Sequence, residues 1–285
     1  MNARSLLADA ETQLAEAGVA SPRVDAELLL SHVTGVPRSL LLVAARPNDL
    51  QHRSYTELVA ARARRVPLQH LTGSAAFRFV DLEVGPGVFV PRPETEVLAG
   101  WAIDQARGFV AQRFNRQGEP RVVDLCTGSG AIALAIVHEV PGAHVHAVEL
   151  DEPAYGWAQR NLSGTGVDLR LGDAADAFAE LDGHVDVVVS NPPYIPLDAW
   201  ESVAPEVRDH DPELALWSGE DGLDAMRMIE ATAWRLLKPG GVVGVEHADV
   251  QGESAPEVFG RRWADVRDHA DLADRPRFVT ARKAR

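Results

Sequence analysis

Two stretches of this 285-residue chain carry side chains whose types and spacing could do chemistry. The first runs Val122-Val123-Asp124-Leu125-Cys126-Thr127-Gly128-Ser129-Gly130 and opens into an apolar, helix-forming stretch from Ala131. Glycines at a strand-to-helix turn let a ligand approach the backbone closely. Glu149, followed by Leu150, ends the next apolar run. In nucleotide-binding α/β folds an acid at that place bonds ribose hydroxyls. Gly128-Ser129-Gly130 lacks the third spaced glycine of a dinucleotide fingerprint. Asp124 would repel a pyrophosphate but suits a ligand with a cationic amino acid portion. The set fits S-adenosylmethionine better than NAD, with a simple tight turn and a solvated Glu149 as the competing reading. Gly172-Asp173-Ala174 follows a third run. There Asp173 could bond an adenine amino group and the backbone of Ala174 the ring, or Asp173 could simply cap the next helix.

The second stretch is Asn191-Pro192-Pro193-Tyr194, directly after the buried-strand run Val187-Val188-Val189-Ser190. It therefore sits at a strand's carboxyl end, where ligands bind in open α/β sheets. Two prolines fix φ and remove two N–H donors, so their carbonyls can be held as outward acceptors. Asn191 adds a side-chain oxygen and Tyr194 a flat face. Together they form a cradle for a planar NH2 group, whose nitrogen is a poor nucleophile because its lone pair is delocalised. Gripping both hydrogens orients that nitrogen and favours its loss of planarity as a bond forms. A rigid loop with an Asx-type turn is the alternative.

The elements that must position these stretches follow from periodicity. Residues 1–75 read as a small helical bundle: a helix through Leu6, Leu7, Ala10 and Leu14 stops at Gly18. Ser21-Pro22 starts another that runs to Gly35, further starts lie near Ser39 and Asn48, and the last helix carries Tyr55, Leu58, Val59 and Arg62. Val80, Leu82 and Val84 alternate with acids, and Gly85-Pro86-Gly87 signals a turn with Val88-Phe89-Val90 returning. This reads as a β-hairpin linker over 76–92. Residues 108–120 read as a helix end plus a loop. From Arg121 the expected strands are 121–125, 144–149, 167–171, 185–190, 242–246, 262–268 and 277–282, with helices between the first five. That is an α/β fold with a seven-stranded, mostly parallel, doubly wound sheet. The last two strands are too close for a helix and should be antiparallel.

Composition excludes several classes. The single cysteine, Cys126, rules out an internal disulfide and a multi-thiolate metal site. The ten histidines show no paired metal spacing, so no metal is expected. Basic residues number 28 and acidic 42, a formal charge of −14, which lowers the expectation of a nucleic-acid partner. No apolar run approaches the ~20 residues of a membrane span, and the N-terminus lacks a secretion signal, so a cytoplasmic protein with no membrane partner is expected. Arg62, Arg64 and Arg65 form a short basic run, either a solvated face or a contact for ribosomal RNA or an acidic partner patch.

Residues 124–130 paired with 191–194 resemble the class I, Rossmann-like S-adenosylmethionine-dependent methyltransferases that modify amide or exocyclic amino nitrogens. Val88-Phe89-Val90-Pro91-Arg92-Pro93-Glu94-Thr95-Glu96 looks like the signature of the protein-(glutamine-N5) methyltransferase family. Those enzymes act on the glutamine of the Gly-Gly-Gln motif in peptide-chain release factors. By physics alone, residues 91–96 are a proline turn capping a helix. The resemblance covers nearly the whole chain, including residues 219–224, 237–241, Val245-Glu246-His247 and 271–277. It implies a substrate-recognition domain over 1–75, a methyltransferase domain over 93–285, a release-factor partner and a monomer. It further implies that Asn191 and the Pro192 carbonyl hold the amide hydrogens while Tyr194 packs on the amide plane, with Pro193 completing the turn. Asp124, Cys126, Thr127, Gly128, Ser129, Gly130, Glu149, Leu150, Asp173, Ala174 and Asn191 would line the cofactor. Phe89 could wall the methyl-transfer pocket or be a core residue. Arg92 and Glu94 could touch substrate or form an ion pair that fixes the interdomain loop.

Three positions depart from the family pattern: Cys126 where glycine is common, Glu149 where aspartate is common, and Ala248 where glycine is expected. None removes a group the chemistry needs. Cys126 reads as a packed thiol rather than a nucleophile. The rival readings are an adenine-N6 nucleic-acid methyltransferase with Tyr194 on a flipped base, a methyltransferase for a ribosomal-protein glutamine, and a silent S-adenosylmethionine-binding module.

Overall fold

The computed structural model describes residues 2–112 and 119–284. The expected loop within 108–120 lies partly outside them; up to Gln112 the chain is helical. The residues fall into two compact units, one of Met1–Ser74, Val84–Pro86 and Val203–His210, the other of Ala75–Glu83, Gly87–Ser202 and Asp211–Arg285.

The first unit is helical, with α1 (Ala3–Glu16), α2 (Pro22–Thr34), α3 (Leu41–Ala44), α4 (Asp49–Ala63) and α5 (Leu68–Thr72). Local chemistry sets the ends. Gly35 closes α2 in the left-handed region at φ 68°. Asn48 and Gln51 form a reciprocal capping box that opens α4. Leu7, Leu14, Leu29, Leu30, Tyr55 and Val59 fill the core. The basic run is not a free face. Arg62 is buried and bonds Asp25 at 2.7 Å and Glu206 at 3.0 Å, while Arg65 holds both Glu206 oxygens at 2.7 and 2.6 Å. Only Arg64 of the three is exposed. Glu206 ties residues 203–210 to this unit rather than to the second. Burial alone would raise its carboxyl, but the bonds from Arg65 and Arg62 outweigh it and hold it down to about 2. Removing Arg62 leaves the buried Asp25 carboxylate without its partner, while Glu206 keeps Arg65. Arg62→Ala is expected to lower unfolding stability by about 3 kcal/mol, and unchanged urea unfolding would contradict the assignment. Because the Glu206 pKa is depressed on folding, its contribution is present above the ordinary carboxylate range and fades as pH falls toward 2.

The second unit begins with a two-stranded sheet, β1 (Ser74–Phe77) and β2 (Val80–Glu83). This corrects the expected hairpin: β2 pairs with the segment before it. Val88 and Val90 are buried but form no strand. Arg78 makes the turn at φ 51°. Its guanidinium grips both Glu139 oxygens, at 2.6 and 3.0 Å, and the Glu96 carbonyl at 3.1 Å.

The main sheet follows from α6 (Thr95–Gln112) onward: β3 (Arg121–Leu125), α7 (Ala131–Glu139), β4 (His144–Glu149), α8 (Glu152–Asn161), β5 (Asp168–Leu171), β6 (Val185–Ser190), α9 (Asp224–Leu236), β7 (Leu237–Glu246), β8 (Trp263–Ala270) and β9 (Pro276–Lys283). Its order is β5-β4-β3-β6-β7-β9-β8. The first five strands in that row, through four pairings up to β7, are parallel, and β9 is antiparallel to both neighbours. All of β6 is buried, as a strand covered on both faces must be. Gly244 of β7 has no side chain because the Trp101 ring of α6 occupies that space, 2.4 Å from where a Cβ would sit. The β5–β6 connection corrects the expected helix: it is a turn and one 3-10 helix, Ala179–Leu181.

Candidate active site

The parallel register sets Leu125 opposite Ser190. Cys126 and Asn191 therefore leave neighbouring strands at the same level, on either side of the point where the chain switches from building the sheet outward through β4 to building it outward through β6. This switch point is where open α/β sheets bind ligands. The Ser190 hydroxyl donates to the Leu125 carbonyl at 2.6 Å and locks the two exits together.

On the β3 side, Asp124 is fully buried. Its Oδ2 accepts from the Thr127 hydroxyl at 2.6 Å and the Ala133 amide at 3.2 Å, tying strand, loop and α7 together. Its Oδ1 is buried with no hydrogen bond. Burial pushes the carboxyl up to about 7, against the bonds that favour its ionised form. The loop then passes Cys126 at φ 59°, Gly128 at φ 58° and Gly130 at φ 84°. Open space faces Gly128 where a Cβ would point, whereas a Cβ on Gly130 would meet Leu162 at 3.0 Å. Ser129 is buried, and its carbonyl accepts from Asn161 at 2.9 Å. Cys126 holds a left-handed conformation that glycine adopts without strain, so Cys126→Gly should stabilise the fold by about 0.5–1 kcal/mol. A thermal midpoint unchanged or lowered would contradict this. Burial pushes the Cys126 thiol up, away from reactivity.

The Glu149 carboxylate ends β4 and accepts backbone amides from Gly128 at 2.7 Å, Leu150 at 2.8 Å and Asp151 at 2.9 Å. A carboxylate has about four lone-pair sites, so capacity remains for a hydroxyl. Burial raises its pKa despite these three bonds. Leu150 next to it is exposed. Gly172 donates to the Glu149 carbonyl at 2.8 Å, which brings Asp173 and buried Ala174 to the same edge. Asp173 accepts from the Ala175 amide at 2.9 Å, so it caps a turn, not a helix. An orphaned buried anion, an open glycine face and a second acid with spare acceptor capacity together fit the amino acid and ribose portions of S-adenosylmethionine. Among the described residues, no group of three or more His, Cys, Asp or Glu is placed to hold a metal ion.

On the β6 side, the Asn191 amide donates through Nδ2 to the Thr95 hydroxyl at 3.1 Å, which leaves Oδ1 free. The Tyr194 hydroxyl donates to Glu246 at 3.3 Å, and burial pushes its phenol up. Its carbonyl accepts from Gln251 at 3.1 Å, and Gln251 also bonds the Asp221 carbonyl at 3.0 Å and the Ala248 amide at 2.9 Å. Gly222 abuts the Tyr194 carbonyl so closely that a Cβ would come within 2.3 Å. Pro192 is buried and Pro193 half-buried. Phe89 is half-buried, with the Arg92 guanidinium 4.8 Å from its ring centre. The alternative pairing of Arg92 with Glu94 is corrected: Arg92 bonds Asp211 at 2.6 Å, and Glu94 is exposed. Burial pushes Asp211 up to about 6, with Arg92 opposing.

Thr95, Glu246, Gln251 and Asp211 were not among the residues expected at the site. Glu246 carried a sequence signal, as an acid ending an apolar run like Glu149, and Thr95 lies within the 88–96 stretch that resembles the family signature.

The sheet order, the glycine turn after β3, the acid ending β4 and the Asn-Pro-Pro-Tyr turn after β6 define a class I S-adenosylmethionine-dependent methyltransferase. Residues 5–73 match the family model described as the PrmC N-terminal domain, and residues 92–204 the methyltransferase small domain. A release factor glutamine methyltransferase of Streptomyces coelicolor is 60% identical, over 98% of this chain and 97% of that protein. One from Mycolicibacterium smegmatis is 49% identical, over 98% and 96%. A 4-amino-L-phenylalanine/4-methylamino-L-phenylalanine methyltransferase of Streptomyces pristinaespiralis is 43% identical, over 90% and 88%. The chain belongs to the release factor glutamine methyltransferase family.

Proposed function

We propose that this chain methylates the side-chain amide nitrogen, N5, of the glutamine in the Gly-Gly-Gln motif of peptide-chain release factors. The observation that carries the reading is the free Asn191 Oδ1 at the end of β6, level with the glycine loop that ends β3, in a chain of this family. Asn191 Oδ1 and the Pro192 carbonyl accept the two amide hydrogens. Tyr194 packs on the amide plane, Pro193 stiffens the turn, and Phe89 walls the pocket. Asp124 attracts the ammonium of the methionine portion across Cys126, Thr127, Gly128, Ser129 and Gly130, and Glu149 takes the ribose. Leu150, Asp173 and Ala174 frame the adenine. When bound, S-adenosylmethionine supplies an electrophilic sulfonium methyl. The protein's share is holding the nitrogen in line with it, and such positioning is worth several powers of ten in rate. Arg92, held by Asp211, acts by shaping the loop at Phe89; Glu94 is exposed and available to substrate.

In this reading the helical unit recognises the release factor, no metal and no stable nucleic acid or membrane partner takes part, and the protein works as a cytoplasmic monomer. The charge of −14 and the internal pairing of Arg62 and Arg65 support the absence of a nucleic-acid partner. No single helix among the described residues is long and apolar enough to cross a membrane.

A second reading is favoured by the relative named for 4-amino-L-phenylalanine: the cradle could take the planar amino group of a small arylamine. Labelled methyl transfer to purified release factor, to 4-amino-L-phenylalanine and to duplex DNA separates the cases. The proposal expects label in the release factor alone. Label in the amino acid or the DNA instead would overturn it.

A further inference from the structure

The Asn191–Tyr194 turn contains two consecutive prolines, so two of its four residues have no backbone N–H to give. A turn short of its own donors has to be held from outside. One hold lies downstream: Ile195 donates to the Leu216 carbonyl at 2.8 Å and accepts from Ser218 at 3.0 Å, and Leu197 donates to the Gly219 carbonyl at 3.0 Å. Another is a side chain. Gln251 is buried in the 3-10 turn Asp249–Gln251 that follows β7. Its Oε1 accepts from the Ala248 amide at 2.9 Å, and since a backbone N–H can only donate, this settles which end of the side chain is the oxygen. Its Nε2 donates one hydrogen to the Tyr194 carbonyl at 3.1 Å and the other to the Asp221 carbonyl at 3.0 Å. Both hydrogens of the side-chain amide are thus spent on the backbone of two different loops. Gly222, at φ 74°, lets the three segments come this close: a Cβ there would stand 2.3 Å from the Tyr194 carbonyl and 2.6 Å from Gln251 Nε2.

We propose that Gln251 is a positioning residue for methyl transfer: its amide pins the Tyr194 carbonyl to the loop over 219–224 and so holds the Asn191–Tyr194 turn in the conformation that grips the substrate nitrogen. This rests on the reading in which that turn holds the acceptor amide. Gln251 acts through the turn and not on the reacting atoms. Methionine in its place would have nearly the same length and no hydrogen to donate. Glutamate would keep an oxygen for Ala248 but set a second oxygen against two carbonyls. Either change leaves the Tyr194 carbonyl without the donor that ties it down, and a displacement of about 1 Å at the reacting nitrogen is enough to cost on the order of 100-fold in rate. The bonds that build the cofactor loop run to Asp124 and Glu149 and do not involve Gln251, so cofactor binding is independent of it.

The test uses the full chain with release factor and saturating S-adenosylmethionine, and S-adenosylhomocysteine titration reads cofactor affinity. Gln251→Met and Gln251→Glu are each expected to lower kcat by about 10- to 100-fold, while KM for the release factor and cofactor affinity stay within about threefold. The same changes are then made in Asn191→Ala. With the cradle already broken, losing Gln251 should cost no more than about threefold further, because residues that act as a unit are not additive. Normal turnover in either Gln251 variant overturns the positioning role and leaves the cradle standing. So does a full multiplication of the two losses in the double variant, which would mean that Gln251 acts apart from the turn. Loss of cofactor binding in both Gln251 variants makes the residue a prop of the whole fold and overturns the role as well. If Asn191→Ala alone turns over normally, the cradle reading fails and this inference with it.

Discussion

Asn191→Ala should lower kcat by about 10²- to 10³-fold, the usual loss when one preorganised hydrogen-bond partner of a reacting group is removed. Cofactor affinity should stay within about threefold, under 1 kcal/mol. The asymmetry follows from the geometry. The Asn191 side chain is committed at Nδ2 to Thr95, and its free oxygen is the atom available to the acceptor nitrogen. The cofactor loop is built without it: Asp124 holds Thr127 and Ala133, and Glu149 holds Gly128. Single-turnover rates and calorimetric titration with S-adenosylhomocysteine read the two quantities separately. A variant that cannot bind the cofactor would place Asn191 in the wrong half of the site.

Asp124→Asn should weaken cofactor binding by about 10- to 100-fold while the fold persists, because it removes a charge worth about 1–3 kcal/mol in a bond to a cation and keeps the shape. The amide oxygen can still accept from Thr127 and Ala133, whereas Oδ1, now buried without a partner, becomes an NH2 facing an ammonium. Asp124 also carries a pH signature. Its carboxyl is pushed up to about 7, and a cationic ligand binds the ionised form. Affinity should therefore rise as pH increases through about 7, with roughly tenfold weaker binding at one unit below. Stability moves the other way. A carboxyl whose pKa is raised on folding holds its proton more tightly in the folded state, so the fold loses stability as pH rises from the ordinary carboxylate range toward 7. Asp124→Asn should flatten both dependences. A pH-independent affinity in the unaltered protein would remove Asp124 from the role of counter-ion.

Much of this architecture is readable from residue order. The runs at 121–125, 144–149 and 185–190 are strands with those same bounds because each is built around buried valines and bracketed by turn residues or a helix start. The antiparallel end pair follows from the short Ala270–Pro276 spacing. The misread elements share one cause, which is tertiary packing overriding local signals. Residues 174–181 are rich in helix formers, yet Phe178 takes φ 53° to bury its ring beneath Arg170 and against His146, and the helix cannot form. Gly85-Pro86-Gly87 does make a turn, but Val88 and Val90 are drawn into the interior instead of back along β2. The tight turn falls at Arg78, an arginine at positive φ that no propensity flags; its bonds to Glu139 and Glu96 hold it there.

The functional residues divide in the same way. Asp124, Glu149 and Asn191 announce themselves at strand ends. Thr95 and Gln251 matter only through hydrogen bonds to residues 96 and 57 positions away, a separation no local pattern spans. Arg62 illustrates the converse. Its basic neighbours suggest a solvated or partner-facing surface, and only Asp25 and Glu206 reveal it as an interior cross-link.

The most direct test of the central claim is mass spectrometry of purified release factor after incubation with this protein and S-adenosylmethionine, with fragmentation to locate any added mass. The account predicts a gain of one methyl on the side-chain nitrogen of the glutamine in Gly-Gly-Gln, absent when Asn191→Ala replaces the unaltered protein over the same interval. An unmodified release factor, in the presence of enzyme shown separately to bind the cofactor, would contradict it and leave the nitrogen cradle to another planar amine.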